Sequence, residues 1–420
     1  MTMMGATVEG AHQVTIGDRR VTVGVIDTGI DGSHPDIAPN FDRLLSRNFT
    51  EDIPLVDGPC EAEPDRSCLD PADVDEEGHG THVAGTIAAA LNGRGTAGVA
   101  PGVSLVNLRA GQDSGYFFLE PVLAAILYAG ESGIDVVNMS FFVDPWLFNC
   151  LDNPADTAAE RLEQRTIREA TQRAIDLARS RGTTFVAALG NEHTDLDNPT
   201  VDTVSPDFPP GAEKNRRVDD ASCISVPAEL ENVLSVVSVG PSGKKADYSN
   251  WGATEADIAA PGGFFRDFAG TARSGRYENL VLAPYPAAVA RERGELDAQG
   301  APLAPNVVRD CQAGECAYYQ YLQGTSMAAP HVAGAAALVV SAAAAGRPGP
   351  VVVDPAAVEA ALLSTARDVA CPASGVVSYD GEGRDASYRA QCSGTPGRNS
   401  VYGEGIVDAA AALAAITPAT

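Results

Sequence analysis

Near the start of the chain, Val21-Thr22-Val23-Gly24-Val25-Ile26 is an almost unbroken apolar run that ends abruptly in Asp27-Thr28-Gly29. A strand with one wet face alternates apolar and polar residues. One that does not alternate is covered on both faces, the condition of a parallel strand between helical layers. Similar runs at residues 104–108, 136–139, 184–188 and 234–239, separated by helical patterns, predict an α/β fold with a mostly parallel sheet flanked by helices. Residues 158–181 have the spacing of an amphipathic surface helix stopped by Gly182, and the alanine-rich stretch 333–345 reads as a buried helix.

An acid at the carboxyl end of such a strand points into the crevice where open α/β sheets bind ligands. Gly78-His79-Gly80-Thr81-His82 puts His79 at the glycine-flanked head of another helix, where glycine lets a second backbone approach closely. Gly324-Thr325-Ser326-Met327-Ala328-Ala329-Pro330-His331-Val332-Ala333-Gly334 puts Ser326 at the mouth of the buried helix. Unpaired N–H groups and the helix dipole favour negative charge there. A lone serine at that position reads as a helix cap. Asp27 and His79 change the reading. A serine hydroxyl needs a base to become a nucleophile, imidazole titrates near neutrality, and a carboxylate fixes its tautomer.

The Asp27, His79 and Ser326 blocks are joined by Val136-Val137-Asn138-Met139-Ser140, Ala187-Ala188-Leu189-Gly190-Asn191-Glu192 and Tyr402-Gly403-Glu404-Gly405-Ile406-Val407-Asp408-Ala409. In these blocks and their order the sequence resembles the subtilisin-like serine proteases, the subtilases, over nearly its whole length. The resemblance implies a three-layer subtilisin-like fold in one peptidase domain spanning 1–420, with insertions near 45–74, 146–156 and 263–318. It implies a serine endopeptidase acting through an acyl-enzyme, with Asp27, His79 and Ser326 as the triad. The Asn191 amide and the Ser326 N–H would hold the oxyanion. Substrate would lie extended beside residues 136–142 by backbone pairing, with an S1 pocket bounded by Ser140, Phe141, Ala187, Ala188 and Gly190. Many relatives have two glycines where this chain has Phe142-Val143, so a narrowed cleft is expected. A processing protease for one peptide precursor is therefore the alternative to a general endopeptidase. Intact Asp27, His79, Asn191 and Ser326 argue against an inactive binding protein.

No cofactor is required for that chemistry. Structural calcium is a separate expectation of the family, through an acid shortly after the first block and a loop interrupting the helix after the histidine. Asp36 matches the acid, which otherwise reads with Asp31 as a turn residue. Residues 91–98 occupy the loop position but are a residue short and carry Arg94, an unfavourable neighbour for Ca²⁺. The metal stays open. His82 lacks the HExxH spacing of a zinc site and reads as helix packing.

The formal charge of −27, with lysine only at 214, 244 and 245, excludes the basic patches that nucleic acid or an acidic membrane requires. Protein or peptide substrates and a monomer are expected. The apolar stretch 327–346 contains Pro330 and His331 and reads as a core helix, not a membrane span. Eight cysteines form an even set, which among many connectivities suits the local pairs Cys60–Cys68, Cys311–Cys316 and Cys371–Cys392, with Cys150–Cys223 remaining. Disulfides would imply an oxidising, extracellular setting. The first 24 residues lack a charged segment followed by an apolar one, so a processed, mature form without signal or prodomain is expected.

Overall fold

The computed structural model describes Met4 and residues 10–62, 66–349 and 352–416. Its centre is a sheet of Thr22–Ile26 (β1), Arg47–Asn48 (β2), Ser104–Arg109 (β3), Val136–Met139 (β4), Thr184–Ala188 (β5), Val233–Val239 (β6) and Ile258–Pro261 (β7). The order is β7-β6-β5-β4-β1-β3-β2, and every pairing is parallel. Val23 of β1 faces Leu105 on one side and Val136 on the other. The winding direction reverses at β1, which makes its carboxyl end the switch point where a crevice opens.

Side chains alternate between two buried layers. Val23, Val25, Val136, Val186 and Ala188 pack with the helices His79–Ala88 and Thr325–Ala344, and with Pro355–Ser364 and Ala409–Ile416 outside them. Ile26, Val137, Met139 and Ala187 face the opposite layer, formed by Leu119–Ser132 and Ala158–Arg179. Burial on both faces is why these strands carry no polar stripe. This is the α/β subtilisin-like architecture the sequence implied.

The expected strands appear within a residue of their anticipated bounds. β2 and β7 were not anticipated. The first has two residues, and the second ends in Pro261, tolerated because β7 is an edge strand. The amphipathic helix begins at a capping box, in which Thr157 and Glu160 exchange side-chain and backbone bonds, and ends at Arg179. The stretch 333–345 proves to be the latter part of Thr325–Ala344. That helix runs through Pro330, whose missing N–H frees the Ser326 carbonyl to accept the Ser140 hydroxyl at 3.0 Å. Among the described residues it is the one helix long and apolar enough to cross a membrane, and it lies buried in the core.

The insertions are built, not loose. The third carries an antiparallel sheet of Val281–Tyr285, Glu315–Leu322 and Val307–Gln312 with a short helix, Ala287–Glu292, around a core of Tyr285, Val289, Val307 and Tyr318. All eight cysteines pair, as Cys60–Cys68, Cys150–Cys223, Cys311–Cys316 and Cys371–Cys392. The Cys150–Cys223 bridge joins the second insertion to the segment after β5. The same two segments are pinned by Arg216, fully buried against Asp156 at 2.9 Å and Asp202 at 2.5 Å, with its guanidinium 4.6 Å from the Trp146 ring.

Candidate active site

β1 ends at Ile26, and the next residue, Asp27, turns into the crevice with no exposed surface. Its Oδ1 accepts the His79 ring Nδ1–H at 2.7 Å and the Thr28 N–H at 2.8 Å. His79 opens its helix after Gly78, which adopts a φ of 101° that side chains resist. The helix approaches this closely because residue 80 is glycine. A Cβ there would lie 2.1 Å from the Gly29 carbonyl oxygen.

Buried Asp75, which sequence reasoning missed, fastens the helix head. It accepts the N–H groups of Gly78 and Thr81 and the hydroxyls of Thr28 and Thr81. Its acid type just ahead of a helix start was the available signal. Burial pushes the Asp75 carboxyl above the usual range. For His79, burial alone would lower the pKa. The charge and hydrogen bond of Asp27, with Glu77 and Asp75 close by, outweigh it and push the imidazole up to about 9.

Ser326 is the second residue of its helix, where a backbone N–H has no carbonyl one turn earlier. Its hydroxyl donates to the Ser140 carbonyl at 3.2 Å. In return the Ser140 hydroxyl, itself bonded by Asn138 at 2.9 Å, donates to the Ser326 carbonyl. The end of β4 and the serine helix are thereby locked together. The Ser326 hydroxyl is turned towards Ser140, not His79, while His79 and Ser326 line the same space. Catalytic hydrogen bonds of this kind tighten when substrate enters. Asn191 follows β5, and its Oδ1 accepts the Thr325 N–H at 2.9 Å and hydroxyl at 3.0 Å. That leaves its amide nitrogen for the cavity it lines.

The cavity, about 450 Å³, runs from His79 and Ser326 along the carboxyl ends of β4 and β5. Ser140, Phe141, Phe142, Ala188, Gly190 and Asn191 line it. Ala187 does not. Alternation along β5 turns it into the opposite layer beside Met139, so only Ala188 of the pair reaches the cleft. Phe141 stacks on Phe117 at 4.2 Å, closing one wall with aromatic surface. Asp144, Glu192, Asp207 and Ser225 also line the space and were not singled out from sequence. A second cavity of about 330 Å³ opens on the other side of His79 and Ser326, beside Arg293, Gln323 and Met327.

The residues expected to hold calcium do not suit it. Asp31 is a turn residue, accepting the Ser33 N–H and hydroxyl. Asp36 also lies in a turn. Its buried carboxylate accepts the Asn92 amide at 2.9 Å, the Tyr319 hydroxyl at 2.9 Å and the Thr96 N–H at 3.2 Å. Ca²⁺ needs six to eight oxygen ligands, and here hydrogen-bond donors face the carboxylate instead. Arg94 turns to Glu315 at 2.8 Å, so the insertion sheet holds this loop. His82 is also a packing residue. Its Nε2–H faces the Val281 and Gln320 carbonyls at 3.1 and 3.0 Å, and burial lowers its pKa to about 4. Asp52, Asp70 and Asp113 cluster as metal ligands might be arranged, yet they surround the buried Arg109 guanidinium, which already supplies the positive charge.

Comparison with known proteins identifies the family. The model of the subtilase family matches residues 18–405. Subtilisin DY of Bacillus licheniformis is 28% identical over 321 residues, covering 76% of this chain and 77% of that one. A nisin leader peptide-processing serine protease of Lactococcus lactis is 31% identical over 77% of this chain and 40% of its own length. Among solved structures, the epidermin leader peptide-processing serine protease of Staphylococcus aureus superposes with a TM-score of 0.60 at 25% identity, covering 95% of this chain and 76% of that one.

Proposed function

Because the chain belongs to the subtilase family and is a serine endopeptidase, we propose that Asp27, His79 and Ser326 are its catalytic triad and that Asn191 completes the oxyanion hole. The observation that carries this reading is the 2.7 Å Asp27–His79 hydrogen bond beside a cavity shared with Ser326 and Asn191. His79 Nε2 takes the Ser326 proton as Oγ attacks the substrate carbonyl carbon. The buried Asp27 carboxylate stabilises the imidazolium. The oxyanion accepts hydrogen bonds from the Ser326 N–H and the Asn191 amide, donors already fixed before charge develops. Collapse of the intermediate breaks the C–N bond, and the imidazolium gives its proton to the leaving amine. Water, deprotonated by His79, then attacks the acyl carbon, and as the ester bond breaks the imidazolium returns the proton to Ser326 Oγ. These steps use side chains and backbone alone, in one peptidase unit spanning the chain.

A narrower task, maturation of a peptide precursor, is favoured over general digestion by Phe142 at the cavity wall. It is also the task printed in the names of the two leader peptide-processing relatives. Extracellular action is supported by the four disulfides. The test is covalent labelling by a small fluorophosphonate. The wild-type chain should label and Ser326→Ala should not; labelling that survives the substitution overturns the nucleophile assignment. Casein digestion separates the two tasks, since extensive cleavage at many sites would refute the narrow one.

A further inference from the structure

Four carboxylates line the larger cavity, Glu77, Asp144, Glu192 and Asp207, and His79 is the only basic side chain among its lining residues. Three of the four are engaged by the protein. Glu77 accepts from Arg293 at 2.9 Å and from the His79 N–H at 2.7 Å. Glu192 accepts the Asn250 amide at 2.8 Å and the Asn191 N–H at 2.9 Å. Asp144, only 5% exposed, accepts the Phe117 N–H.

Asp207 differs. Its Oδ1 is buried and meets no hydrogen-bond donor, and the nearby charges acting on it beyond Asp144 are those of Asp202 and Glu213, both negative. The carboxyl hydrogen-bonds with the Asp144 carboxyl and with its own backbone N–H. Two carboxyls bonded to each other must share a proton, because both cannot ionise side by side. Burial raises both carboxyls; the neighbouring acid pushes Asp144 on, well above the usual range, while the Asp144 hydrogen bond holds Asp207 back. Asp144 is therefore the proton holder, and Asp207 carries the charge.

The backbone holds Asp207 in this position. Its N–H donates to the Pro145 carbonyl and its carbonyl accepts the Tyr116 hydroxyl, both at 3.1 Å. The next side chain, Phe208, packs 5.0 Å from the Phe118 ring. A rigid, half-buried anion without a cationic partner, lining an open cavity, is complementary to a cation brought from outside.

We propose that Asp207, braced by Asp144, is a specificity-determining residue that takes the cationic side chain of an arginine or lysine in the acyl half of the substrate. The assignment rests on the proteolytic reading above, with substrate lying along Ser140–Phe142. A guanidinium gives the Asp207 carboxylate the cationic partner it lacks, and a neutral side chain leaves it without one. The chain's charge of −27 acts in the same sense, drawing cationic peptides towards the cleft.

The test uses peptides identical except for arginine or citrulline, its uncharged near-isostere, at each of the four residues before the scissile bond. Arginine at one of these positions should raise kcat/KM about 10- to 100-fold, the worth of a charge-assisted hydrogen bond. Asp207→Asn should bring that ratio to within about threefold of one. Asp144→Asn, which keeps the shape of a protonated carboxyl, should retain the preference. Should Asp207→Asn fail to fold, Asp207→Ser replaces it. Preference surviving either Asp207 substitution, or equal wild-type rates on arginine and citrulline peptides, overturns the proposal. Fluorophosphonate labelling in parallel separates the two layers. Labelling with equal rates refutes only the specificity, while no labelling refutes the catalytic reading and this proposal with it.

Discussion

The surroundings of His79 predict how the rate should depend on pH. As general base the imidazole must be neutral, yet Asp27 at 2.7 Å, with Glu77 and Asp75 near, favours the charged ring more than burial opposes it. Moving the ring from its ordinary 6.5 to about 9 corresponds to about 3 kcal/mol. At pH 7 roughly one His79 in a hundred is then neutral. kcat/KM on a fixed peptide should rise about tenfold per pH unit and level off only in the alkaline range. Asp27→Asn removes the largest favourable contribution and leaves burial, so the midpoint should move down below the wild-type value. The plateau should fall by about 10⁴-fold as the ring loses its tautomer. Stability follows with the opposite sense. The folded-state pKa lies above the unfolded one, so this contribution is complete below pH 6.5 and is lost as pH climbs towards 9. In Ser326→Ala protein, which cannot digest itself, the stability gap to the Asp27→Asn double variant should shrink over that window by about 3 kcal/mol. A wild-type midpoint at or below 6.5, or one that Asp27→Asn does not move, would refute the electrostatic argument.

Three further outcomes are expected. Tyr319→Phe in the Ser326→Ala background should cost about 1.5–3 kcal/mol by removing a donor from the buried Asp36 carboxylate, and EDTA should leave the wild-type melting temperature where it was. A fall in EDTA would show that the Asp36 loop holds metal after all. Arg216→Met leaves Asp156 and Asp202 buried without their cation and should cost about 3–5 kcal/mol in urea unfolding; a loss below about 1 kcal/mol would mean the cluster is solvated.

Features governed by local pattern were legible in the sequence. β1, β3, β4, β5 and β6 are apolar on both faces and stand out as runs, and Asp27, His79, Ser326 and Asn191 lie within short motifs at the ends of those elements. Ala187 was misjudged because adjacent residues of a strand cannot both face one cleft, a period-two rule that the motif obscured. The anchoring role of the Asp36 carboxylate, beyond its turn, was hidden because its donors Asn92 and Tyr319 are 56 and 283 residues away. Asp144 and Asp207 sit on irregular segments brought together by long-range packing of Tyr116, Phe118 and Phe208. No periodicity marks such a meeting.

The third insertion and the segment after β5 do more than decorate the core, because they touch the catalytic machinery from both sides. The sheet of the third insertion receives the His82 ring one turn behind His79. From the same insertion Arg293 neutralises Glu77, whose other oxygen holds the His79 N–H. Without Arg293, the Glu77 carboxylate would act unopposed on the imidazole and raise its pKa further. Across the cleft, the segment after β5 brings in Asp207 and is itself held by Arg216 and the Cys150–Cys223 bridge. The third insertion therefore bears on the strength of the base, and the segment after β5 on what reaches it. In a subtilase so built, loss of the third insertion should alter the pH dependence of cleavage of any peptide. Loss of the segment around Asp207 should alter which peptides are cleaved and leave the acid limb in its place.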